Sequence, residues 1–259
     1  MSRFRRAAPA ALVAAVILCG CGKGAYVHQA TTQTTTQVTT TAARPPHPAP
    51  APAHPAQTAP TAALARAFGR AVELGRTDVT GASAQPPQRN SSAQEREAAR
   101  CGGRTSEVIG GGRSPDLRRG TGLAREDISS SVEVLRSEAQ VRSDLAYTRS
   151  RAGLRCYGRV LRNSLGAEER SNIRLTGLRI APLTIAAGGP EPAAGLRIEA
   201  RVALKDSPAT LRLYSDAISF PYGAAEIDLF ATSFVQPEAL RTEQELITLL
   251  RERARRHPL

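Results

Sequence analysis

The chain has no tryptophan, one methionine and only two lysines, Lys23 and Lys205. Its four histidines are His28, His47 and His54 in the first quarter and His257 at the tail. Between them lies a long stretch with no imidazole. Ser-His-Asp and Cys-His catalysis therefore lack their base there, and the usual zinc sets lack a ligand. Aromatic residues make up 4% of the chain. Arginines are scattered among acids rather than massed, with few aromatics between them, so a nucleic-acid surface is not expected. Residues 22–60 contain no acidic residue and almost no large apolar side chain. That segment cannot bury enough surface to offset chain entropy. Long hydrophobic runs are also missing, apart from Ala10–Leu18.

That one run decides the leader. Arg3, Arg5 and Arg6 precede it and Leu18-Cys19-Gly20-Cys21 closes it. Positive charge is retained on the cytoplasmic side while the apolar core enters the bilayer. Nine apolar residues are too few to span the ~30 Å of hydrocarbon as a permanent helix, so cleavage is expected. Leucine, a small residue, glycine and then cysteine resemble the lipobox of bacterial lipoproteins. The resemblance implies that Cys21 becomes the first mature residue and takes a diacylglycerol, with palmitate among its acyl chains. Two acyl chains at ~0.8 kcal/mol per buried CH₂ hold a protein stably on a membrane. The alternative is an ordinary secretory signal in which Cys21 is incidental. The expected location is the outer face of a cell membrane, lipid-anchored.

Residues 1–20 are thus read as signal peptide, 21–61 as a disordered Thr/Pro/Ala-rich tether, and 62–259 as an extracytoplasmic domain. The Pro/Ala half of the tether favours extended polyproline-like chain. Histidines spaced so widely in such a chain make no metal site. Without the leader the formal charge of +12 falls to about +9, and a basic exported protein is drawn to anionic head groups and acidic wall polymers. Cys101 and Cys156 are the only cysteines of the domain. In an oxidising compartment an even pair reads as a disulfide. The alternative is two free buried thiols.

Along the domain, Leu64 to Leu74 recurs at helical spacing and Asp78-Val79-Thr80-Gly81 reads as a turn. Ser92 with Glu95 makes a capping box before a short helix that ends at Cys101. Glu107–Gly122, with Gly110-Gly111-Gly112, reads as a loop; it lacks the Lys-Ser/Thr of a phosphate-binding P-loop. Ile128–Leu135 has strand character. Ser137 and Gln140 cap a helix carrying Val141 and Leu145. Gly153 interrupts it, and a second helix follows with Cys156 in its first turn. The last third alternates as strands. Ile173–Ile180 has a bulge signal at Gly177, and Leu196–Leu204, Leu211–Phe220 and Ala225–Phe234 follow. Pro221-Tyr222-Gly223 reads as a turn, and Pro237 opens a final helix rich in Leu and Arg. Short turns between these runs imply an antiparallel meander. The fold class is α+β, an antiparallel sheet packed with helices.

The strand Ser129–Val134 running into a Ser-capped helix around Leu145-Ala146, the downstream Cys156 and the closing helix Glu243–Arg253 resemble a group of actinobacterial lipoproteins. Their domain is similar to the extracellular sensor domain of mycobacterial serine/threonine kinase H and to LpqN-type lipoproteins. The resemblance implies an α+β sandwich with a cleft for a ligand or partner and transfers no site residue. The sensor domain carries two disulfides; the domain of this chain has cysteines for one.

Glu226 and Asp228 sit two apart on one strand and read as its solvated face. A paired-carboxylate wall-glycan hydrolase is the enzyme alternative, and a structural envelope protein is a third reading. The favoured function is binding or sensing, without catalysis and without a cofactor, of a lipid or cell-wall component. Its cleft would be lined by Val132, Val134, Leu213 and Ile227 wherever helices leave the sheet uncovered.

Overall fold

A computed structural model describes residues 60–86, 108–167, 173–186, 193–204, 208–234, 236–238 and 240–259. The expected leader, Cys21, almost all of the expected tether, the helix expected after Ser92 and Cys101 lie outside the described residues.

The elements run α1 (Ala62–Val72), β1 (Ser83–Gln85), β2 (Val108–Arg113), β3 (Asp116–Arg119), β4 (Glu126–Leu135), α2 (Glu138–Arg149), α3 (Arg151–Ala167), β5 (Ile173–Ile185), β6 (Ala193–Leu204), β7 (Thr210–Tyr222), β8 (Ala225–Phe234) and α4 (Leu240–Arg256). One sheet takes the order β1-β3-β4-β8-β7-β6-β5, with β2 paired beside β3 on β4. Every pairing is antiparallel, and β5 to β8 form the expected meander. The register slips between Leu175 and Gly177, where the alternation signalled a bulge.

Helices cover both faces. On one, Ala65, Phe68 and Val72 of α1 and Leu246, Ile247, Leu250 and Ala254 of α4 pack on Val132, Ile218, Phe220 and Ile227. On the other, Leu161 of α3 packs against Ile198, Ala200, Val202 and Leu213, while Val141 and Leu145 of α2 pack on Leu135. β8 lies between the two layers and is buried at all ten positions.

This layering overturns the solvated-face reading. Glu226 and Asp228 are buried, because α2 covers the face that local alternation assigned to water. Asp228 accepts hydrogen bonds from the Ser131 hydroxyl at 3.0 Å and the Ser219 hydroxyl at 2.6 Å. The cleft-lining residues fare likewise. Val132, Val134, Leu213 and Ile227 are packed in the two cores and line no open cleft.

Gly110-Gly111-Gly112 belongs to strand β2, not to a loop. The cause is close approach. A Cβ on Gly69 of α1 would lie 2.3 Å from the Gly111 carbonyl carbon and the Gly112 nitrogen. Helix and strand backbones meet here with no side chain between them. Two smaller boundaries also move. The α2–α3 break falls at Ser150, whose backbone leaves the helical region, and Gly153 lies inside α3, where a Cβ would strike the Tyr147 carbonyl. Cys156 is therefore in the second turn of α3. The hairpin after β7 turns at Gly223, φ +54°, with Pro221 and Tyr222 still in the strand. The final helix starts at Leu240, three residues after Pro237.

Candidate functional site

Both features that merit attention are built on α4, one on each side of it. Its inner side carries Glu243 in the first turn. Register places Asp216 of β7 beside Arg197 of β6 and Ala231 of β8, all on the face that α4 covers. Arg197 grips Asp216 with two nitrogens, its Nε donating at 2.8 Å to Oδ1. Glu243 is 0% exposed and Asp216 1%. Neither carboxylate oxygen of Glu243 meets a hydrogen-bond donor.

A second ion-pair group stands just ahead of α4. Glu238, just before α4, receives Arg119 Nη2 at 3.4 Å, and Arg119 Nε also donates to Glu126 at 2.6 Å. Arg119 thus bridges Glu126 and Glu238, and Arg197 separately holds Asp216 beside Glu243. Two ionised carboxylates at Glu243 and Asp216 would both be acceptors and would repel. A proton on Glu243 converts the contact into a hydrogen bond donated to Asp216. Burial, then Asp216, push the Glu243 carboxyl up to about 9, against the lowering pull of Arg197. The helix dipole favours an anion in the first turn by only ~0.3–1 kcal/mol, too little to offset the several kcal/mol of desolvation. Glu243 is held as a neutral acid at neutral pH.

A buried carboxyl held protonated beside a second carboxyl is an element that general acid–base catalysis also uses. It is closed to solvent, so no substrate reaches it in this conformation. Its chemistry is that of a locked polar end to an otherwise apolar core. The clue in sequence was slight: a lone Asp216 at an inward strand position, and a glutamate where N-terminal acids are ordinary.

On the outer side of α4 a surface groove of about 540 Å³ is bounded by Arg241, Gln244, Glu245, Thr248, Leu249 and Ala186. Its polar groups are partly engaged: Arg241 Nε donates to Glu245 at 2.9 Å, and the Thr248 hydroxyl donates to the Gln244 carbonyl at 2.7 Å. The groove is open and combines charged and polar side chains with Leu249, Ala186 and aliphatic stems, unlike the enclosed apolar slot expected between sheet and helices. The C-terminal arginines have partners within the fold. Arg253 holds both oxygens of Asp78 at 2.7 Å, and Arg251 lies 4.8 Å over the Phe220 ring.

Of the sequence-predicted site residues, Cys21 and Cys101 lie outside the described residues. Cys156 is buried in α3, its Sγ 3.4 Å from Arg159 Nη2. Among the described residues no group of three or more His, Cys, Asp or Glu side chains is placed to hold a metal. Nor, among them, is any helix long and apolar enough to cross a membrane.

No known protein family matches the chain, and no curated protein matches it. Among solved structures, the chain is similar to the extracellular domain of PknH from Mycobacterium tuberculosis, at 10% identity and a TM-score of 0.28, covering 64% of this chain and 72% of that one.

Proposed function

We propose that the protein is a lipid-anchored extracytoplasmic binding or sensing module, held on the outer face of a cell membrane by a diacylglycerol on Cys21. The observation that carries this reading is the box Leu18-Cys19-Gly20-Cys21 behind a basic head and a short apolar run, followed by a polar tether. Cys21→Ser is expected to shift the protein from the membrane fraction to the soluble one, or to leave the leader uncleaved. A variant that fractionates and migrates as the wild type does would refute the anchor.

The module binds rather than catalyses. The buried carboxyls of Glu243, Asp216 and Asp228 are closed to water and serve the fold. The apolar residues first assigned to a lipid slot are packed. The open groove on α4 offers a guanidinium, an amide, a hydroxyl and carboxylates, which suit a polar wall component, glycan or peptide, better than an acyl chain. A thermal-shift screen with soluble wall fragments is expected to raise Tm, and Gln244→Ala to abolish the shift. Turnover of a wall glycan lost on neutralising one carboxylate would instead establish the hydrolase.

The domain is closed by a bridge between Cys101 and Cys156. In the chain-entropy model a loop of about 56 residues gains ~4 kcal/mol. Thiol titration of the denatured, unreduced domain is expected to find none. Two reactive thiols per chain would disprove the bridge.

A further inference from the structure

The outward faces of three helices are built differently. α4 and α2 carry paired charges at four-residue spacing: Arg241 with Glu245, Glu252 with Arg256, and Glu138 with Arg142. α3 carries Arg151, Arg155, Arg159 and Arg162, all exposed, and no acidic residue from Arg151 to Ala167. At 100° per residue these four fall within an arc of about 80° and extend over about 16 Å of helix. Among the described residues no carboxylate pairs with any of them. α3 is seated on the sheet through Leu161, away from the ridge, and through Gly158 at the ridge's edge, against Ile180 of β5 and beside the Arg162 guanidinium.

This ridge breaks two local rules. Like charges four residues apart destabilise a helix, whereas the paired pattern of α4 stabilises it. A cation in a first turn also opposes the helix dipole, and Arg151 stands there. Positions that violate local rules without a compensating contact mark function more often than accident.

We propose that the α3 arginine ridge is a docking surface for an anionic lipid bilayer. Its shape is a convex ridge, which lays four guanidiniums against a plane and does not wrap a polymer strand. Guanidinium binds phosphate in two-pronged fashion, so phosphodiester head groups satisfy it well. The choice of lipid over other polyanions rests on the anchor proposed above, which keeps head groups within reach of the tether at high effective concentration. Docked through α3, the domain lies with the α2–α3 layer toward the membrane and the α4 groove facing away from it. The anchor then supplies residence, and the ridge supplies orientation.

The test uses the mature chain with Cys21→Ser, so that no acyl chain contributes. Cosedimentation is measured with vesicles of phosphatidylcholine alone and with about one third phosphatidylglycerol, at low and high salt. Binding is expected only to the anionic vesicles and is lost at high salt. Each arginine near such a surface contributes about fivefold, so Arg155→Gln with Arg162→Gln is expected to weaken partitioning about 25-fold. Arg255→Gln with Arg256→Gln, which removes the same charge from the end of α4, is expected to weaken it less than threefold. Equal losses from the two pairs would overturn the ridge in favour of overall charge. Binding to an acidic wall polymer but not to anionic vesicles would overturn the lipid assignment. Intact-mass analysis of Cys21 in the native protein is independent of these outcomes, so failure of the anchor and failure of the ridge are distinguishable.

Discussion

Glu243→Gln is expected to flatten the pH dependence of stability on the alkaline side of neutrality. The direction follows from proton counting. In the unfolded chain the Glu243 carboxyl releases its proton near its ordinary value of 4.5; in the fold it keeps it up to about 9. Between those values the native state binds a proton that the unfolded state has lost, so stability falls as pH rises. The contribution is fully present below 4.5 and is lost through 9. The limiting slope is about 1.4 kcal/mol per pH unit. A wild-type loss of about 2–4 kcal/mol from pH 6 to pH 9 corresponds to a Tm lower by roughly 5–15 °C in a domain of this size. Glutamine has the same shape, donates to Asp216 through its amide and does not titrate. The variant should match the wild type near pH 5 and exceed it at pH 9. Some slope should remain, because burial also raises the Glu73 carboxyl. Parallel melting curves for the two proteins across this range would show that Glu243 is not held protonated.

A second substitution tests the contact that turned a supposed loop into a strand. Alanine for glycine inside a helix ordinarily gains about 1 kcal/mol. At Gly69 the added methyl would lie 2.3 Å from the backbone of Gly111 and Gly112, atoms that cannot turn aside. Overpacking of this kind costs ~1–3 kcal/mol and sometimes more, so Gly69→Ala should destabilise by about 2 kcal/mol. Gly111→Ala should be worse, since its Cβ would stand 1.8 Å from the Val132 carbonyl oxygen. Urea midpoints for both variants provide the check. A rise in stability at Gly69→Ala would mean that α1 and β2 do not touch.

These residues also show where reading the sequence succeeded and where it stopped. Signals that act over two to four residues were legible. Arg197, Glu199 and Arg201 alternate with buried apolar positions, Gly177 marks the bulge, and the Ser137 hydroxyl accepts from the Gln140 nitrogen as its capping box requires. What depends on a distant partner was not. Gly110-Gly111-Gly112 resembles a loop until Gly69 is placed against it. Glu226 and Asp228 resemble a wet face until α2 covers it, because alternation along one strand does not reveal how many helical layers a sheet has. Asp216 and Glu243 are a strand residue and a helix residue whose meeting depends on the path of β8 and the seating of α4. The arginines of α3 were visible individually, but their common direction required the helix start at Arg151. Moving the break from Gly153 to Ser150 defined that start.

Anchoring underlies the functional reading, and one measurement addresses it directly: the intact mass and N-terminal peptide of the protein extracted from its native membrane. Expected is a chain beginning at Cys21, heavier than its sequence by a diacylglycerol and, where the host adds one, a further acyl chain. A chain beginning at or near Cys21 with an unmodified thiol would contradict it and leave a secreted, unanchored domain.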